Sequence, residues 1–332
     1  MMFSSKAPAN SMLLGEHSVV YGHPALACAL NQWISIRWQT RNDQEIHIES
    51  ALGNHQTTWD QLTLHPELRF VIHALKAFQA YRPPGVNMKI HSEFSSTIGL
   101  GSSAAVLAAI LTGLNHLCAT GLKREALWQI GKQVIVEIQG RGSATDLAAS
   151  LFGGVVYFHP PTETDKPTIE SIPVSMPLLL VYSGYKTPTA EVLAKVALDW
   201  RDRPQALQAL YNAMGSTTLQ SYQALKNKHW RQFYQSFETY QQLMAQLGVS
   251  DSVMNELVEQ LRQCPQIRAS KISGSGLGDC VLALGDLEST AQQSTNLLAE
   301  CPAQSSLAEY LQLQLPISPK GAHLMTHSEQ DT

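Results

Sequence analysis

Residues 95–106, SSTIGLGSSAAV, decide the reading of this chain, because a loop of glycines and small hydroxyl residues runs without a break into an apolar helix expected over 102–120. A helix start leaves several backbone N–H groups without an acceptor and turns a positive dipole end toward the loop, and the two together suit a phosphate. Gly99 and Gly101 let the backbone approach an anion, Leu100 and Ala104 flank that approach, and Ser102 and Ser103 offer hydroxyls to the anion or to a magnesium ion. No Gly-Lys-Ser/Thr follows, so this is not a Walker loop. Gly99-x-Gly101-x-x-Ala104 is only a degenerate dinucleotide fingerprint, with no strand-helix-strand unit to place an acid on a ribose. The alternative use of the same residues is a tight turn that caps a core helix.

Working outward, 6–14 reads as extended chain. Residues 33–39 and 44–49 alternate like two strands of a hairpin turned at Asn42-Asp43, 60–81 has helical spacing, and 86–93 alternates again. Beyond the loop, 122–139 and the stretch from Asp146 are helical and 154–159 is a strand. Residues 160–173, PPTETDKPTIESIP, are rich in proline and charge and read as a loop near a lobe boundary. A strand from Leu178 leads into helices over 190–261, and strands return near 271–273 and 279–284. This predicts an N-terminal lobe over 1–172, a C-terminal lobe over 173–318 and a frayed polar tail over 319–332.

Composition bounds the function. Of 332 residues, 44% are hydrophobic and 15% charged, which excludes a mainly disordered or coiled-coil protein. With 23 Lys and Arg against 27 Asp and Glu, the net charge of -4 gives no electrostatic reason for a nucleic-acid or anionic-membrane partner. The opening residues lack a basic and then apolar leader, and no run of about 18 apolar residues occurs, so a soluble cytoplasmic protein is expected. The five cysteines are scattered with no C-x-x-C pair, and reduced, mostly buried thiols are expected.

Three further segments carry chemistry. In GRGSATDLAAS (140–150) Asp146 stands at a helix start behind small residues, where an N-cap is the commoner role for an aspartate. SKISGSGLGDCVL (270–282) is a glycine-rich turn between apolar segments, containing Gly274, Ser275 and Gly276. The opening APANSMLLGEHSVVYGHPALA sets Glu16 and His17 side by side after a glycine, in a solvated turn or against a small polar substrate.

Taken in this order, APANSMLLGEHSVVYG, IGLGSSAAV and KISGSGLGDC resemble the three motifs of the GHMP small-molecule kinases, and GEHSVVYG is similar to the form carried by the family's mevalonate kinases. The resemblance implies a two-lobed α+β fold with ATP in a cleft between the lobes. It implies phosphates on the loop from Gly99 to Ser103, further ATP-binding residues in Ala104 and Gly274-Ser275-Gly276, and Mg²⁺ near Ser103. It also implies that Asp146 accepts the substrate's hydroxyl proton, with Glu16, His17 and Thr189 toward the substrate. Members often pair into homodimers.

The departures are local. The family's mevalonate kinases read A-P-G-K where this chain has Ala7-Pro8-Ala9-Asn10, so Asn10 replaces a lysine beside the catalytic Asp, and Lys186 is either the substitute cation or a surface lysine. Gly142 and Ala144 stand for the family's Pro and Gly. The acid that shares the metal is replaced by Ile135, leaving Glu137, on another side of the helix, as the nearby candidate. The implied activity is ATP- and Mg²⁺-dependent phosphorylation of the primary hydroxyl of a small carboxylate-bearing alcohol, with mevalonate first. Phosphomevalonate comes second, because 139–141 and 146–150 look closer to phosphomevalonate kinases. A decarboxylase of the same superfamily and a nucleotide binder without turnover are more distant.

Overall fold

The computed structural model describes residues 1–95, 98–162, 164–286 and 296–326. It divides the chain into two compact units interleaved in sequence. Met1–Asn10, Ala29–Gly153 and the segment from Lys320 form the first, and Ser11–Cys28 with Gly154–Pro319 form the second. The expected single boundary near residue 172 is therefore replaced by four crossings, because the first two strands carry residues of both units. The fold is α+β with two sheets.

The first unit takes in β1 (Met2–Leu14), β2 (Ala25–Thr40), β3 (Glu45–Ser50), β4 (Gly53–Thr58), α1 (Arg69–Phe78), β5 (Val86–Ser92), α2 (Ser102–Leu117), α3 (Arg124–Gln139) and α4 (Thr145–Phe152). β2 lies antiparallel to β5 from Ile34↔Ser92 to Thr40↔Val86, and β5 lies parallel to β3 from Ile46↔Val86. The hairpin expected between residues 33–39 and 44–49 does not form, since β5 sits between them. Alternation reports which face of a strand is buried, not which strand is its partner. Gly85 admits the insertion: its N–H donates to the Asp43 carbonyl at 2.7 Å, and a Cβ there would lie 2.5 Å from the Asp43 carboxylate. The helix expected from residue 60 starts at Arg69, because Pro66 holds His65 extended (φ -131°).

The packing of α2 on the sheet is specific. Trp38 is fully buried, and its indole N–H donates to Ser5 Oγ at 2.9 Å, which donates in turn to the Ala109 carbonyl of α2 at 2.8 Å. Gly113 lies over the Trp38 ring, where any Cβ would overlap it.

The second unit holds β6 (Val155–His159), β7 (Thr168–Ile172), β8 (Leu178–Lys186), α5 (Thr189–Asp199), α6 (Pro204–Lys226), α7 (Trp230–Leu247), α8 (Ser252–Arg262), β9 (Ala269–Ile272), β10 (Gly278–Leu284), α9 (Gln304–Leu307) and β11 (Leu311–Gln314). Its four-stranded antiparallel sheet runs β11-β8-β10-β9, and α7 and α8 lie against β9. The buried faces of α7 and α8 carry Phe233, Phe237, Tyr240, Met244, Met254, Leu257 and Leu261 at helical spacing. Asp251 caps α8 by accepting from Met254 N–H at 2.9 Å. Part of the expected loop over 160–173 is strand, since β7 pairs with β6 from His159↔Thr168 to Val155↔Ile172.

Two further expectations are corrected. Cys264 and Cys301, 37 residues apart, form a disulfide, while Cys28, Cys118 and Cys280 are not disulfide-bonded. That pairing comes from folding the chain end of α8 back beside the approach to α9, which no local spacing announces. The tail is docked as far as Thr326: β12 (His323–Leu324) pairs with β1, Ala322 N–H donates to Ser150 O, and Met325 N–H to Ser4 O. Residues 327–332 of the expected tail lie outside the described residues. Among the described residues no helix is long and apolar enough to cross a membrane.

Candidate active site

In the first unit the glycine loop runs directly into the start of α2. Gly99 and Gly101 take left-handed conformations (φ 70° and 64°), which lets the chain turn sharply into the helix at Ser102. Gly101 in the cap position has no side chain to cap the helix start and no acid stands in the first turn, so the helix's own residues leave the dipole end unneutralised. Leu100 is buried beneath the loop, Ala104 faces the core, and Ser103 is exposed at the helix start.

Asn10 reaches this loop from β1 and is 1% exposed. Its N–H donates to the Leu100 carbonyl at 3.1 Å, and its side-chain NH₂ donates to the Gly101 carbonyl at 3.2 Å and to Ser150 Oγ at 2.9 Å. The Ser150 hydroxyl donates to the Pro8 carbonyl at 2.8 Å.

Asp146 is the second residue of α4 rather than its cap; the cap position belongs to Ala144, in a left-handed conformation (φ 61°). That conformation costs a non-glycine residue roughly 1 kcal/mol, and neighbours hold it: Trp128 Nε1–H donates to the Ala144 carbonyl at 2.9 Å, and the Ser143 hydroxyl accepts from Thr145 N–H. Ile135 packs at Gly142, where a Cβ would come within 2.8 Å of it, whereas Glu137 lies on the exposed side of α3. Among the described residues no group of three His, Cys, Asp or Glu side chains is arranged to hold a metal.

In the second unit the GEH turn is held under strain. Gly15 (φ 105°) has no room for a side chain, since a Cβ would meet Ala25 at 2.5 Å, and His17 itself has φ 62°. Glu16 Oε1 pairs with Lys271 Nζ at 2.6 Å, the two side chains being 3% and 0% exposed. Lys271 also donates to the Ile272 carbonyl at 2.5 Å and lies 5.5 Å from the Tyr240 ring centroid. The Tyr240 hydroxyl donates to the Glu16 carbonyl at 2.8 Å. Burial, and then the Glu16 carboxylate, push the Tyr240 phenol well above its ordinary range, so it remains a donor. Burial lowers the Lys271 pKa while Glu16 favours the ammonium.

His17 Nε2 donates to the Ser275 carbonyl at 2.8 Å. Burial lowers the imidazole below its ordinary value of 6.5, with the Ser275 and Glu16 contacts acting in the other direction. A neutral ring with its proton on Nε2 leaves Nδ1 as an acceptor. Among the described residues His17 Nδ1 and Glu16 Oε2 are both buried without a partner, so two adjacent residues each present an unanswered acceptor.

The glycine turn that meets His17 also gathers the start of α5. Thr189 Oγ1 lies 3.4 Å from Ser275 Oγ, Thr187 donates to the Leu277 carbonyl, and Lys186 pairs with Asp279 at 2.8 Å. Gly274 and Gly276 have φ of 79° and 85°, and Gly276 is pressed against the Val249 carbonyl. Lys186, expected as a substitute cation, thus already has an anionic partner, although its side chain stays 42% exposed. Two participants escaped sequence reasoning. Lys271, a lysine inside an apolar strand pattern, gave a signal in its setting, whereas Ser150, one small residue among several, gave none.

The chain matches the model of the GHMP kinases N terminal domain over residues 69–154 and that of the GHMP kinases C terminal domain over 221–301. It is 30% identical over 282 residues to a mevalonate kinase of Archaeoglobus fulgidus, covering 84% of this chain and 91% of that one. Among solved structures, the Lin0012 protein of Listeria innocua shares the fold with a TM-score of 0.84 at 18% identity, over 98% of this chain and 99% of that one. The L. major mevalonate kinase in complex with R-mevalonate gives a TM-score of 0.76 at 18% identity, over 96% of each chain.

Proposed function

Because the chain belongs to the GHMP kinases and is an ATP-dependent phosphotransferase acting on an alcohol, we propose that its acceptor is mevalonate, phosphorylated at the primary hydroxyl to 5-phosphomevalonate. The observation that carries the choice is the pair of buried, unanswered acceptors, Glu16 Oε2 and His17 Nδ1. Acceptors in such a place call for O–H donors, which a hydroxy acid supplies, whereas the phosphate of phosphomevalonate would bring about two further negative charges toward the Glu16 carboxylate. The curated relative named mevalonate kinase supports the same reading.

In this reading the ATP phosphates lie on the backbone from Gly99 to Ala104 at the start of α2, the third motif Gly274-Ser275-Gly276 contributes to the nucleotide site, and Thr189 stands toward the acceptor. Asp146 accepts the proton of the attacking hydroxyl, so the developing alkoxide is never released free. Mg²⁺ fits only in part: Ser103 offers one exposed oxygen, Glu137 faces away on α3, and the protein provides no acidic cage among the described residues. The ion would be held chiefly by the nucleotide's own phosphates and would neutralise their charge.

Phosphomevalonate is the second reading, favoured by the exposed Arg141 in the loop before Asp146. ADP release measured in parallel on mevalonate, phosphomevalonate, diphosphomevalonate, homoserine and galactose decides between them. We expect kcat/KM for mevalonate to exceed that for phosphomevalonate by at least about tenfold, roughly 1.4 kcal/mol of transition-state discrimination. A preference for phosphomevalonate would transfer the substrate assignment to the Arg141 loop.

A further inference from the structure

Asn10 stands at the position of a family lysine, yet it does not act as a shorter, uncharged version of one. Its amide is committed on both sides. One contact goes to the Gly101 carbonyl at the start of α2, and the other goes to Ser150 Oγ in α4, one helical turn beyond Asp146. Asn10 and Ser150 are 1% and 0% exposed, and the serine is anchored by donating to the Pro8 carbonyl. Gly101 is cut to this amide, since a Cβ on it would overlap the Asn10 side chain.

An amide NH₂ provides two donors in one plane at a fixed angle, so a single side chain sets the separation between the glycine loop and the helix that carries Asp146. α4 has only eight residues and Ser150 lies one turn beyond Asp146, so the helix's own hydrogen bonds carry a constraint on Ser150 to Asp146. We propose that Asn10 and Ser150 form a positioning bracket that fixes the phosphate loop relative to the catalytic carboxylate. The proposal rests on the reading above, in which that loop carries the ATP phosphates and Asp146 takes the proton.

The two arms of the bracket can be cut separately. Asn10→Asp keeps the shape but sets a carboxylate oxygen against the Gly101 carbonyl, displacing the loop. Asn10→Ala removes the same bonds without a charge, should the aspartate variant not fold. Ser150→Ala leaves the Gly101 contact in place and removes the two hydroxyl bonds that tie α4 to Asn10 and to the Pro8 carbonyl. Dissociation constants for ADP from calorimetry read the loop whatever the acceptor alcohol, and kcat on whichever alcohol the parent phosphorylates reads the loop-to-carboxylate geometry.

For Asn10→Asp, or Asn10→Ala, we expect about tenfold weaker ADP binding together with a fall in kcat of about tenfold or more. For Ser150→Ala we expect ADP affinity within about threefold of the parent with a comparable fall in kcat. This split is what a purely structural pair would not produce. Folded variants whose ADP affinity and kcat both stay within about threefold of the parent would overturn the bracket, as would equal losses of ADP affinity in the Asn10 and Ser150 variants. Failure of the mevalonate assignment appears instead in the parent's alcohol profile and leaves the ADP measurements intact.

Discussion

A lysine with no exposed surface is stable only with a partner, and Lys271 has one in Glu16 at 2.6 Å. The pair also joins two segments 255 residues apart in sequence, so the GEH turn is tied to β9 by charge and to α7 by the Tyr240 hydroxyl. Removing one partner leaves the other buried and uncompensated. Lys271→Met should therefore destabilise by about 3–5 kcal/mol, and adding Glu16→Gln should recover most of that loss, because no isolated charge remains. Activity separates the two roles of Glu16: if its free oxygen receives a substrate hydroxyl, the double variant regains its melting temperature but not its kcat/KM. Thermal melts and kinetics on the two variants check this.

At the scale of elements, the two functional helices begin without side-chain caps, and both depend on left-handed residues just before them, Gly101 for α2 and Ala144 for α4. With Ala144 in the cap position, Asp146 is the acid of the first turn of α4, a placement worth roughly 0.5 kcal/mol through the helix dipole. Asp146→Asn should thus cost little stability while turnover falls about 10²-fold or more, since the amide cannot take the hydroxyl proton. Chemical denaturation set beside single-turnover rates separates these effects, and near-normal turnover would return Asp146 to a helix-stabilising role. At this scale the sequence was a good guide to the helices, because their apolar periodicity and the glycines before them are local. The strand partners were less legible, as β5 between β2 and β3 shows.

Across the whole molecule, the chain leaves and re-enters its first unit, and the last return closes the sheet. β12 covers the edge of β1, Ala322 N–H meets the Ser150 carbonyl, and Gly321 passes so close to the Leu151 carbonyl that no side chain fits. Ending the chain at Pro319 would expose the β1 edge and leave that carbonyl of α4 without its partner. We expect a truncated chain to melt lower by several degrees and to aggregate more readily, with differential scanning calorimetry and light scattering as the measurements. Unchanged melting would mean that β12 adds nothing to the first unit.

The sequence by itself determined the parts of this protein that depend on neighbours along the chain. The glycine loop running into α2, the helix start at Asp146, the GEH turn and the third glycine motif were all readable, because helix starts and tight turns are fixed by residues a few positions apart. Family membership followed from the order of those motifs. Only the tertiary structure decided that Lys271 is the counter-ion of Glu16, that Ser150 and Asn10 share an amide, that Lys186 is engaged by Asp279, and that Cys264 meets Cys301. Each of these joins residues from 37 to 255 positions apart. The driving force for such contacts is the cost of leaving a buried charge or donor unanswered, and that cost is set by burial, which exists only once the chain has packed.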